Sequence, residues 1–118
     1  MKLIIAGGRE FTDYAMLCAC MEAFTLVHPV TEVVWGCARG ADALGKRWAD
    51  EMGIPVKPFP ANWREEGLSA GKSRNADMAY YADALVAFWD GKSTGTENMI
   101  KRATRLKLNP IWVFMYGH

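Results

Sequence analysis

At 118 residues with 51% hydrophobic side chains, the chain is long enough for one domain with a real core and too apolar for a disordered segment. A formal net charge of +1 gives no general attraction to DNA, RNA or anionic membranes, so a nucleic-acid role would need a local basic cluster. No apolar run approaches the ~20 residues of a membrane span, and an odd set of cysteines (Cys18, Cys20, Cys37) argues against a disulfide framework or a zinc site and for the cytoplasm.

Met1–Gly7 has the look of a signal peptide only superficially, because its apolar stretch is short and a charged loop follows at once. It reads instead as a first strand over Lys2–Ala6. Asp13 or Thr12 is placed to cap a helix over Tyr14–Val27, whose inner stripe is Tyr14, Leu17, Cys18, Met21 and Phe24. His28-Pro29 ends that helix, since the residue before proline disfavours helical backbone. The outer face of the helix, with Met16, Cys20 and Ala23, is apolar enough to suggest a contact between subunits. A second strand over Glu32–Trp35 leads to a helix from near Asp42 to Met52, with Leu44, Trp48 and Met52 inward. Gly53-Ile54-Pro55 stops it before a short strand, Val56–Pro58, whose proline suits a sheet edge.

Phe59–Ala70 is too polar and irregular for core and reads as a long loop, a length that is often functional. A helix over Gly71–Ala82, an almost wholly apolar strand over Ala84–Trp89, a helix over Thr96–Lys107 and a last strand over Ile111–Met115 complete the chain. This strict alternation predicts a single-domain α/β fold over 1–118: a three-layer α/β/α sandwich on a five-stranded parallel sheet of order 3-2-1-4-5. The switch point then falls between the first and fourth strands, where ligands bind.

Glycine loops follow the first, second and fourth strands. Gly7-Gly8-Arg9 offers backbone N–H groups and a guanidinium to a phosphate, or is simply a tight turn. In the second loop, Gly36, Ala38, Arg39, Gly40 and Asp42 combine a turn with a helix start; Asp42 is a candidate cap, and Arg39 faces the crevice or pairs with a carboxylate. Cys37 has no histidine partner that would make it a nucleophile, and His28 and His118 are poorly placed as bases. Asp90, Ser93, Thr94, Gly95 and Thr96 form the best phosphate cradle, whose alternative is an ordinary N-cap. At Gly71-Lys72-Ser73-Arg74-Asn75, cations stand at the positive end of a helix, which suits a bound anion or a nearby carboxylate such as Glu65 or Glu66. Asn75 could read a base or ribose edge, and Trp63 and Trp89 could stack on a base or belong to the core. Trp35, Trp48 and Trp112 are assigned to packing. The dinucleotide fingerprint G-x-G-x-x-G is absent, so no nicotinamide or flavin cofactor is expected, nor any metal.

Taken together, Ala6–Asp13, Gly36–Asp42, Pro60–Trp63, Gly71–Asn75 and Ala87–Thr96 resemble the SLOG superfamily, which unites Lonely-Guy phosphoribohydrolases with the DNA-processing protein DprA. The nearest likeness is to its small stand-alone YspA-like branch, related to YpsA. The resemblance implies a Rossmann-like nucleotide-binding domain that forms dimers or larger assemblies. Lonely-Guy enzymes carry Pro-Gly-Gly-x-Gly-Thr-x-x-Glu; here Met99 stands at the glutamate position, Glu97 lies two residues before it, and Cys37 stands where relatives of the branch often have glycine. The leading expectation is therefore binding of a nucleotide or nucleotide-derived phosphorylated ligand, with hydrolysis of its N-glycosidic or phosphate linkage as an added activity. Arg74, Arg9 and Arg39 would hold phosphate, and Glu97, Asp90 or Glu10 would supply a carboxylate. The alternatives are single-stranded nucleic-acid binding in the manner of DprA, disfavoured by the charge balance, and sequestration of a signalling nucleotide.

Overall fold

The apolar residues of the central strands alternate between two cores. In the computed structural model, which describes residues 1–117, β1 (Lys2–Gly7) lies at the centre of a parallel sheet of order β3-β2-β1-β4-β5, with β2 (Glu32–Trp35), β3 (Val56–Pro58), β4 (Ala84–Trp89) and β5 (Ile111–Met115). Leu3 and Ile5, Val33, and Ala84, Val86 and Phe88 face one side, where Leu17, Met21 and Phe24 of α1 (Tyr14–Val27) and Ala41, Trp48 and Ala49 of α2 (Ala41–Glu51) cover them. Ile4 and Ala6, Val34, and Leu85 and Ala87 face the other. There they meet Met78 and Ala79 of α4 (Ala70–Tyr81) and Met99 and Ala103 of α5 (Thr94–Arg105). The period of two in each strand thus produces the three layers. The expected fold class and strand order are those observed.

Register confirms β1 as the hinge of the sheet. It pairs with β2 from Lys2↔Glu32 to Ile4↔Val34 and with β4 from Leu3↔Ala84 to Gly7↔Phe88. β3, with its proline, is an edge strand. Asp13 is the cap of α1, its carboxylate accepting from the Met16 N–H at 3.0 Å. No helix among the described residues is long and apolar enough to cross a membrane.

Several boundaries and faces differ from the sequence reading. The α2 N-cap is Gly40, with φ +75°, and Asp42 lies inside the first turn. Met52 is not inward: it is the C-cap of α2 and is 60% exposed, while Gly45 takes a core position because its bare Cα lets α2 approach Ile5. The segment Phe59–Ala70 is not loop throughout, since α3 (Trp63–Glu66), capped by Asn62, and a 3₁₀ turn (Gly67–Ser69) run straight into α4. Arg74 is consequently in the second turn of α4 and not at the helix start. α5 begins at Thr94 because Asp90 Oδ1 accepts from the N–H groups of Lys92 (2.9 Å) and Ser93 (2.8 Å), folding the turn early. On α1, Met16 and Cys20 pack against the core; the outward residues are Ala15, Ala19, Glu22, Ala23, Leu26 and Val27.

Candidate functional site

In a parallel sheet every strand-to-helix loop leaves from the same edge, and the two loops at the switch point diverge to leave a cleft. Here a crevice of about 450 Å³ opens above β1 and β4, within the roughly 300–1,000 Å³ of small-molecule sites. Its walls gather residues from several stretches of chain. Gly7, Gly8, Arg9 and Glu10 come from the loop after β1, and Ala38 and Asp42 from the β2–α2 connection. Trp63 and Leu68 stand at the mouth; Lys72, Arg74 and Asn75 descend from α4; Asp90, Ser93, Thr94, Gly95 and Thr96 form the opposite wall. A second cavity of about 330 Å³ adjoins it, sharing Arg9, Ala38, Trp63 and Arg74 and adding Gly36 and Arg39.

The wall at α5 carries the clearest anion chemistry. The first intrahelical bond is Glu97 N–H to the Ser93 carbonyl, 3.1 Å, so the N–H groups of Thr94, Gly95 and Thr96 precede it and have no acceptor within the helix. Thr96 is buried and its hydroxyl sits 3.2 Å from that of Ser93, which fixes both at the crevice wall. These donors and the helix dipole favour an anion over the start of α5. The opposite loops are locked together: the Gly8 carbonyl accepts from Phe11 N–H and Ala41 N–H, both at 3.2 Å.

A buried carboxylate lies on the floor. Asp42 is pushed up to about 6 by burial, against the opposing pull of the Arg74 guanidinium, the N–H groups of Ala38 and Gly36, and Arg9. The carboxylate that answers Arg74 is therefore Asp42 and not Glu65 or Glu66. Arg74 also donates through Nη1 to the Gly36 carbonyl and through Nε to Asn75 Oδ1, 3.2 Å. Asn75 Nδ2 in turn donates to the Gly95 carbonyl (3.2 Å) and Asn98 Oδ1 (3.1 Å), so this amide ties α4 to the start of α5. The same amide lines the crevice wall.

Other candidates fall elsewhere. Arg39 reaches only the smaller cavity and pairs with Glu10 at 3.0 Å, both side chains exposed. Gly40 lines neither cavity but is the contact point between the two loops, a Cβ there meeting the Gly8 carbonyl oxygen at 2.3 Å. Glu97 is outside the crevice lining and pairs with Lys101 along α5 at 2.7 Å, while Met99 lines the wall. Trp89 is also outside; its indole N–H donates to the Ser93 carbonyl at 3.1 Å. Trp63, 52% exposed, remains at the mouth. Cys37 holds a left-handed backbone at φ +60°, the conformation glycine tolerates best. His28 packs on Phe24 and Trp112 and lines neither cavity, and His118 lies outside the described residues.

Tyr116 was not singled out by the sequence reading. It lines the crevice, packs edge-on against Phe11 with ring centroids 4.8 Å apart, and its hydroxyl occupies the space above Gly8. Burial, then the charges of Asp90 and Glu10, raise its phenol above the ordinary range. A signal was present, since the residue just after any parallel strand reaches this same edge.

Comparison with known proteins adds two matches. The family model YAcAr, described as the YspA, cpYpsA-related SLOG family, matches residues 1–65, a span that contains Gly7–Arg9, Gly36–Asp42 and Trp63. The Gene 61 protein of Mycobacterium phage D29 is 40% identical over 111 residues, covering 88% of this chain and 89% of that protein. No solved structure matches the chain.

Proposed function

The chain belongs to the YspA, cpYpsA-related SLOG family, and on that premise we propose that the crevice binds a nucleotide or a nucleotide-derived phosphorylated ligand. The observation that carries the reading is the start of α5, where three successive N–H groups and two hydroxyls converge on a cavity of about 450 Å³. A phosphoryl group over Thr94–Thr96 would take those donors, with Arg9 and Lys72 as further cations at the wall. Trp63 and Leu68 at the mouth supply apolar surface for a base, Trp63 by stacking.

Binding is better supported than turnover. Every carboxylate of the crevice is engaged: Asp42 with Arg74 and the loop amides, Glu10 with Arg39, Asp90 with the N–H groups of Lys92 and Ser93. Hydrolysis of an N-glycosidic or phosphate linkage would have to recruit one of them, because Glu97 points along α5 to Lys101. Self-association through the outward face of α1, where Leu26 is 83% exposed, belongs to the same proposal and is read by sedimentation. Calorimetry with nucleoside monophosphates, cyclic nucleotides and ADP-ribose compounds, with product analysis of the same samples, tests the reading. Saturable heat with at least one supports it; no heat with any of them overturns it.

A further inference from the structure

The two adjoining cavities differ in charge balance. The larger crevice has three cations in its lining, Arg9, Lys72 and Arg74, set against three carboxylates, Glu10, Asp42 and Asp90. The smaller is lined by three guanidinium groups, Arg9, Arg39 and Arg74, and by no carboxylate. Arg74 is neutralised from below by Asp42. Arg39 has Glu10 at 3.0 Å, but with side chains 73% and 71% exposed that pair is worth little in water and is readily exchanged. Arg9 is in no ion pair among the described residues. Like charges focused in a small cavity attract an anion, and planar guanidinium forks favour one with several oxygens.

Resting on the nucleotide reading above, we infer that the ligand carries two phosphoryl groups held apart, one over the start of α5 and the other between Arg9 and Arg39. Arg9, Ala38, Trp63 and Arg74, which line both cavities, form the divide, so the nucleoside lies across it and Trp63 covers its ribose or base. A nucleoside monophosphate fills only half of this site. A second phosphoryl group displaces Glu10 from Arg39 and takes its place.

The test uses the four common nucleoside 5′-monophosphates and the matching 3′,5′-bisphosphates, titrated calorimetrically into the protein, Arg39→Gln and Glu10→Gln. Both positions are exposed, so each variant folds. For at least one base the bisphosphate is expected to bind at least tenfold more tightly than the monophosphate. Arg39→Gln brings that ratio below threefold, and Glu10→Gln, which removes the competing carboxylate, raises it. Equal binding of mono- and bisphosphate, or a ratio untouched by Arg39→Gln, overturns the two-phosphoryl site while leaving nucleotide binding intact. Silence from every ligand overturns both.

Discussion

Gly40→Ala probes the contact on which the crevice floor depends. Gly40 holds φ +75° and ψ −133°, a region that costs a residue with a side chain about 1–3 kcal/mol. The new Cβ would also lie 2.3 Å from the Gly8 carbonyl oxygen and 2.6 Å from the Arg9 backbone, so the loop after β1 must move. That movement loosens the bonds from Phe11 and Ala41 to the Gly8 carbonyl, each worth about 1 kcal/mol. The expected loss is about 3–5 kcal/mol by urea unfolding. Gly53→Ala is the control: its φ is +71° but no atom lies within 4 Å of the new Cβ, so it loses only the conformational share, about 1 kcal/mol. Equal losses in the two variants would refute the contact between the loops.

Two further outcomes follow from the same geometry. Asp42 has its folded pKa raised to about 6 from 3.8, so between those values the folded state holds more protons than the unfolded, and stability falls as pH rises from 4 to 6 before levelling. The shift corresponds to about 3 kcal/mol, and the stability of Asp42→Asn relative to the parent is expected to rise by up to that amount across the window; a difference flat with pH would contradict it. Lys107 closes α5 at φ +58°, with Lys107 N–H on the Thr104 carbonyl and Leu108 N–H on that of Ala103, so Lys107→Gly is expected to stabilise by about 0.5–1 kcal/mol in thermal unfolding, and an unchanged or lowered Tm refutes the strain argument.

How much of this was legible in the sequence depends on the range of the interaction. The strand order followed from local facts: β4 is apolar at every position because it is covered on both faces, and Val56–Pro58 carries a proline only an edge tolerates. The loops were found for the same reason, since glycine and hydroxyl residues at a strand end mark the turn wherever it lies. What was hidden were pairings between distant stretches. Asp42 reads as a cap from its neighbours, and only the fold brings it under Arg74. Trp89 alternates with Phe88, so its face was legible, but that α5 begins beneath its indole was not. Glu97 reads as two residues out of register with the family glutamate; that it would settle on Lys101 is an i,i+4 pairing the helix alone could have shown.

The most direct measurement is a backbone amide NMR titration with the tightest nucleotide of the calorimetric panel. The account predicts that the largest shifts fall on Thr94, Gly95 and Thr96, with Gly8 and Arg9 next and the outer face of α1 silent. Saturating shifts confined to residues outside the β1, β2 and β4 loops, with Gly95 and Thr96 unmoved, would contradict it.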